Sequence, residues 1–245
     1  MAIGMSHTGS QVFPSTHWSV VLSATDETSP QARDSLEKLC RTYWYPMYAF
    51  VRHRGHSPQD SEDLVQGFFA HLLDKSVLTH VDREKGRFRS FLLACLCNYL
   101  NNERTRAQTQ RRGAGCVHLP LDTSIAESRY ADEVSVPLTP EQLFDRAWAL
   151  GVLQRTLESL RSQFGAAGRE DLFDAVEGHL TGSKPCSTYG ELGARWGMNE
   201  PALRMMVTRL RRRYGELVRL EISQTLASAD DVEQELQHLL AVFGR

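Results

Sequence analysis

Apolar residues recur at helical spacing along most of this 245-residue chain, whereas the alternating pattern of a β-strand is scarce. Ser57 caps one predicted helix, in which Pro58 takes the first position and acids lie near the positive helix end. The apolar residues that follow form one face, with i, i+1, i+4, i+5 spacing: Leu64, Val65, Phe68, Phe69, Leu72 and Leu73. The next predicted helix repeats that spacing with Phe91, Leu92, Cys95, Leu96, Tyr99 and Leu100. The pattern therefore predicts an all-α protein.

The helical pattern is lost between Gly113 and about Pro140, where glycines and prolines punctuate the sequence. A stretch of this kind is typical of an interdomain linker. We therefore predict two helical modules joined by a linker, the second containing a helix-turn-helix. The predicted boundaries are a disordered N-terminus at 1–12, a first module at 13–112, the linker at 113–139, a second module at 140–225 and an acidic extension at 226–245.

The segment from Ser187 to Tyr214 predicts two short helices joined by a tight turn. Thr188 and Glu191 have capping-box spacing, Gly197 lies where the first helix must stop, and Asn199 can cap the second helix. Arginines cover much of that second helix: Arg204, Arg209, Arg211, Arg212 and Arg213. A helix held across another with arginines toward solvent is suited to a DNA major groove. The alternative is a helical hairpin in a core with a solvated basic face.

The net charge of −2 hides an uneven distribution. Residues 204–219 contain six arginines and one acid, and a DNA phosphate responds to this local charge rather than to the total. After Arg219 the sequence becomes acidic, with one apolar stripe and one remaining basic residue, Arg245. Charge complementarity predicts that the acidic extension folds onto the basic helix and masks it.

Nothing in the sequence indicates an enzyme. The chain has no phosphate loop and no hydrolase or metalloprotease motif, and its five cysteines match no zinc-finger spacing. Scattered buried thiols and separate surface histidines are the simpler interpretation, so we expect no catalytic residue, no metal and no cofactor. With no signal peptide and no long apolar run, we expect a cytoplasmic protein without a membrane partner.

The end of the first module offers a second nucleic-acid signal, because aromatic rings, amides and arginines alternate from Phe88 to Arg112. Unpaired bases can stack on rings, while amides bond base edges and arginines hold phosphates. The alternatives are that the aromatic residues belong to the core and that the arginines form a solvated helix end.

Two segments together resemble the extracytoplasmic-function class of bacterial RNA polymerase sigma factors. Residues 57–73, with Asp63-Leu-Val-Gln66 after an acidic start, are similar to the family's core-polymerase-binding helix. Residues 88–106 resemble its promoter-melting helix, and residues 189–213 align without a gap to its helix-turn-helix. The resemblance covers most of residues 13–220, with both modules in the family's order.

The resemblance implies that core polymerase is contacted by Glu62, Asp63, Gln66 and Phe69. It implies that the melted non-template strand is contacted by Phe88, Arg89, Asn98, Asn101, Asn102, Arg104, Arg106, Arg111 and Arg112. It implies that upstream duplex DNA is contacted by Asn199, Arg204, Thr208, Arg209, Arg211, Arg212 and Arg213. The expected partners are core RNA polymerase and promoter DNA, and an anti-sigma factor is a further candidate.

The chain departs from the family pattern in both modules. Ala202, Met205 and Met206 occupy positions where the family often carries polar residues, so the promoter sequence cannot be inferred. Gly67 replaces a usual acid in the core-binding helix, at a cost of about 1 kcal/mol in a helix interior. The alternative function is a helix-turn-helix transcriptional regulator that does not bind core polymerase.

Overall fold

The computed structural model describes residues 30–72, 87–109, 123–134, 137–182, 187–226 and 228–244. Every regular element within these ranges is helical, which confirms the predicted all-α class. The helices are α1 Pro30–His53, α2 Pro58–Leu72, α3 Phe88–Thr109, α4 Thr123–Glu133, α5 Pro140–Ala166, α6 Glu170–Thr181, α7 Tyr189–Trp196, α8 Glu200–Ser223 and α9 Val232–Phe243, with a 3₁₀ turn at Ala229–Asp231 before α9. The predicted N-terminus at 1–12, and Arg111 and Arg112, lie outside the described residues.

Helix α1 is the centre of the first hydrophobic core. From Thr42 to Val51 all of its residues are buried, because α2, α4 and α5 pack around it. A helix that is apolar on all sides is typical of such a central position. Pro46 lies inside α1, and the helix continues past it to His53. Phe88 of α3 and Trp148 of α5 complete this core.

A second core lies under the helix pair α7 and α8. Its fully or largely buried residues are Leu160, Leu172, Phe173, Val176, Leu180, Leu192, Leu203, Val207 and Leu210. Helices α5 and α8 contribute to both cores: Val152 and Val218 belong to the first, whereas Leu160 and Leu210 belong to the second. The Tyr214 hydroxyl donates to the Leu153 carbonyl at 3.1 Å, which ties the two helices together between the cores. The α5–α8 pair therefore connects the two cores directly.

The predicted linker at 113–139 contains helix α4, which is attached to α1. The Glu127 carboxylate accepts hydrogen bonds from the Tyr48 hydroxyl and the Arg52 guanidinium, both at 2.6 Å. The Arg129 guanidinium lies 3.9 Å from the centre of the Tyr45 ring. The division into modules at 13–112 and 140–225 stays a prediction. The hydrophobic cores do not follow this division, since residues 143–152 of α5 pack in the first core.

The acidic extension at 226–245 begins with a buried leucine and continues into α9. Leu226 and Leu239 lie in the first core, and α9 packs against α5 and α8. This helix therefore belongs to the packed body of the protein.

Candidate nucleic-acid interface

Helix α7 begins and ends at the predicted residues, and α8 begins at its predicted cap but continues to Ser223, beyond the predicted end at Tyr214. The Thr188 hydroxyl accepts from the Glu191 N–H at 3.3 Å, and the Glu191 carboxylate accepts from the Thr188 N–H at 2.7 Å, so the capping box is present. The hydrogen bonds that the carboxylate accepts from the Thr188 N–H and hydroxyl hold the pKa of the Glu191 carboxyl below its usual value. Gly197 ends α7 with φ 64°, in the left-handed region. The Asn199 side chain caps α8 by accepting from the Ala202 N–H at 2.8 Å.

The turn between these helices is held close to α7. A Cβ atom on Gly193 would lie 2.5 Å from the Met198 carbonyl oxygen and 3.8 Å from Leu203 Cδ1. Position 193 therefore requires glycine for the turn to approach α7. On the inner side of α8, Leu203 and Val207 are buried in the second core, which directs the opposite face outward.

The outward face of α8 carries the predicted arginines. All of them are exposed: Arg204, Arg209, Arg211, Arg212 and Arg213. Their acidic partners within the described residues are Glu200, which pairs with Arg204 at 2.6 Å, and Glu216, which lies 3.7 Å from Arg212 and 3.4 Å from Arg213. Five arginines therefore face two glutamates over residues 200–216, and this face is basic.

Several polar groups on this face already have a partner. The Arg204 guanidinium also lies 4.7 Å from the centre of the Tyr189 ring. Arg211 donates to the His179 carbonyl at 2.5 Å, and the Thr208 hydroxyl donates to the Arg204 carbonyl at 2.8 Å. Arg209 is exposed and has no ion-pair partner among the described residues.

Helix α3 presents a second polar surface over its C-terminal half. The predicted contacts Asn98, Asn101, Asn102, Arg104 and Arg106 are all exposed there. Asn98, Asn102 and Arg106 are four residues apart, so they lie in one row along the helix. Arg106 pairs with Glu103 at 2.9 Å, and both groups are reachable by solvent.

The start of α3 is buried, and it includes two of the residues that were predicted to contact melted DNA. Phe88 is fully buried against Tyr43, with ring centres 5.5 Å apart, and its N–H donates to the Thr225 carbonyl at 3.2 Å. Arg89 is only 3% exposed. Neither side chain can contact DNA in this conformation, because Phe88 lies in the first core and the Arg89 guanidinium is held by Asp145 and Glu235.

Arg89 lies in a buried charge network that joins α3, α5 and α9. Its Nε is 2.8 Å from Glu235 Oε1, and its Nη1 is 2.6 Å from Asp145 Oδ1. Arg87 also reaches Glu235 at 2.8 Å, and His238 Nε2 lies 3.2 Å from Asp145 Oδ2. Sequence reasoning missed Glu235, because no local pattern relates an acid near the C-terminus to an arginine 146 residues earlier.

Two of the four predicted core-polymerase contacts are also buried. Gln66 is 3% exposed and Phe69 is 2% exposed, whereas Asp63 is exposed and Glu62 is half-buried. The reason is that α2 packs against α1, α3 and α4, so its buried face is wider than one apolar stripe. Gly67 contributes to this packing, since a Cβ there would collide with the Tyr99 hydroxyl.

The acidic extension packs against the C-terminal end of the basic helix, as predicted, but it does not mask the arginine face at 204–213. Helix α9 packs against α5 and reaches α8 near its C-terminal end, where Glu233 lies 3.6 Å from Arg219. Four of the arginines at 204–213 instead have partners at 179, 200 and 216: Arg204, Arg211, Arg212 and Arg213. In this conformation the basic face stays open to solvent.

Within the described ranges, no group of three or more His, Cys, Asp or Glu residues is placed to hold a metal ion. The same ranges contain no helix with the length and apolar character needed to cross a membrane. The sequence matches no protein-family profile, no curated protein and no solved structure.

Proposed function

We propose that this protein is an RNA polymerase sigma factor of the extracytoplasmic-function type. In this proposal it binds core polymerase, recognises promoter DNA and promotes strand opening. The observation that carries the proposal is the exposed arginine face of α8, directed outward by a capped helix pair.

The arginine face is suited to upstream duplex DNA on energetic grounds. Its ion pairs are solvent-exposed, with 61% and 48% of the side chains accessible for Arg204 and Glu200. Exposed pairs of this kind contribute about 0–1 kcal/mol, so a phosphate can replace the glutamate at little cost. Binding releases counterions from DNA, which supplies most of the sequence-independent affinity.

The C-terminal half of α3 is the proposed contact for the melted non-template strand. The amides of Asn98 and Asn102 can bond base edges, and the guanidinium of Arg106 can hold a phosphate along the same row. Phe88 and Arg89 are not included, because both are buried. Strand capture therefore uses binding energy from an exposed polar row rather than from the aromatic residues at the start of α3.

The proposed contact with core polymerase is narrowed to the exposed side of α2. Asp63 is the best-placed residue, with Glu62 beside it. The burial of Gln66 and Phe69 reduces this surface. That reduction favours the second candidate function, a helix-turn-helix regulator that binds duplex DNA without core polymerase.

A pull-down with purified core polymerase separates the two functions. We expect the wild-type protein to be retained by core polymerase and Asp63→Arg to be retained at least ten-fold less. Asp171→Arg is the matched control, since Asp171 is an exposed acid in the first turn of α6. If core polymerase retains neither the wild-type protein nor Asp171→Arg, the assignment as a sigma factor is excluded. The helix-turn-helix regulator then remains as the candidate function.

A further inference from the structure

Met205 is an exposed apolar residue in the middle of the arginine face. Its side chain is 56% exposed, while its neighbour Met206 packs against the second core. Exposed apolar residues are common on protein surfaces, so exposure alone assigns no role. Its position matters more: Arg204 precedes it and Arg209 lies one helical turn later, on the side that would meet DNA.

The hydrogen-bonding groups around Met205 are already in use. The Asn199 amide oxygen caps α8, and the Arg204 guanidinium is shared between Glu200 and the Tyr189 ring. The Thr208 hydroxyl donates to the backbone of the helix. Beside these groups, this half of α8 presents the Met205 thioether and the Arg209 guanidinium outward.

We propose that Met205 contacts the 5-methyl group of a thymine in the major groove. This inference rests on the proposed function, with α8 lying in the major groove as the second helix of a helix-turn-helix does. In the major groove, the apolar group on the base edges is the 5-methyl group of thymine. Apolar side chains recognise this methyl group by van der Waals contact. Methionine suits the role because its unbranched, polarisable side chain adapts to irregular surfaces. The DNA element read by α8 then contains a thymine beside the phosphate that Arg209 contacts.

Replacing thymine by uracil tests the inference, because it removes the methyl group and keeps base pairing. A preferred duplex is first selected from a random pool with the wild-type protein, and each thymine of that duplex is then replaced in turn. Burying one methyl group corresponds to about a four-fold change in Kd. We expect one replacement to weaken wild-type binding by about that factor, with the others near neutral.

The Met205→Ala variant should bind the thymine duplex more weakly and should no longer distinguish uracil at that position. Leu240→Ala is the matched control, since Leu240 is 61% exposed on α9, and it should discriminate as wild type does. The role of Met205 would be overturned if the wild-type protein bound every uracil duplex equally well. It would also be overturned if Met205→Ala still distinguished thymine from uracil. In both cases the proposal that the protein binds DNA would stand. If no duplex is selected at all, the proposed function fails together with this inference.

Discussion

The Arg89 guanidinium and the Glu235 carboxylate form a buried ion pair that joins the start of α3 to the C-terminal helix. Arg89 Nε lies 2.8 Å from Glu235 Oε1, and Nη2 lies 3.3 Å from Oε2. Arg89 also stacks on Trp148, with Cζ 4.8 Å from the ring centre. Because the Phe88 N–H bonds the Thr225 carbonyl nearby, the C-terminal segment covers the first residues of α3 at two points.

Removing one partner of this pair should destabilise the protein strongly. Glu235→Ala leaves the Arg89 charge buried and only partly compensated by Asp145, which should cost about 3–5 kcal/mol in the free energy of unfolding. Urea unfolding measures the change. Glu233→Ala is the control, since Glu233 is exposed and 3.6 Å from Arg219, and it should cost at most about 1 kcal/mol.

A double variant with apolar residues at positions 89 and 235 tests the same ion pair if Glu235→Ala does not fold. Replacing both members of a buried pair by apolar residues of similar volume is often near neutral. Arg89→Met with Glu235→Leu should therefore recover most of the lost stability. If Glu235→Ala and Glu233→Ala lowered the free energy of unfolding by the same small amount, the Arg89–Glu235 pair would not be buried in solution.

The turn of the helix pair provides a stability test that is independent of DNA. Gly193→Ala places a Cβ 2.5 Å from the Met198 carbonyl oxygen, and overpacking of this kind costs about 1–3 kcal/mol. Gly190→Ala, on the same helix, meets nothing closer than 4.0 Å and should be neutral or stabilising by up to about 1 kcal/mol. The thermal unfolding temperature should fall for Gly193→Ala and should stay the same or rise for Gly190→Ala, and equal shifts would contradict the observed turn.

The arginine face should determine the salt dependence of DNA binding. Arg209→Ala and Arg212→Ala should each weaken binding to all duplexes and lower the slope of log K against log salt by about one. Titrations between low and moderate salt give this slope. Arg169→Ala is the control, because Arg169 is exposed in the turn before α6, and an equal loss for this variant would exclude a localised interface.

The contact between α1 and α4 should weaken in acid. The hydrogen bond from the Arg52 side chain, helped by that from Tyr48, holds the pKa of the Glu127 carboxyl below its usual value of 4.5, although burial opposes the shift. A lowered pKa means that the stabilisation is complete above about pH 4.5 and is lost as the pH falls through the folded-state value.

The variant Glu127→Gln isolates this contribution. The stability difference between wild type and Glu127→Gln should be largest near neutral pH and should shrink in acid, as measured by urea unfolding at several pH values. Glu141→Gln, at an exposed position on α5, serves as the control. A difference that stays constant through the acid range would contradict the assigned ion pair.

Local features were predictable from the sequence, while long-range contacts were not. The caps at Thr188 and Asn199 depend on residues three positions away, so the Thr188–Glu191 spacing and the residue type of Asn199 identified the two helix starts. Gln66 looked exposed because a single apolar stripe defined the buried face, whereas α1, α3 and α4 all pack against α2. Arg89 is buried because Glu235 and Asp145 arrive from distant parts of the chain.

Transcription reconstituted from purified parts tests the central claim most directly. Core polymerase from the organism that encodes this chain is mixed with its genomic DNA, with and without the protein, and the 5′ ends of the transcripts are mapped. The proposed function predicts a set of start sites that depends on the protein, is strongly reduced by Asp63→Arg and persists with Asp171→Arg. Identical start sites with and without the protein would contradict the assignment as a sigma factor.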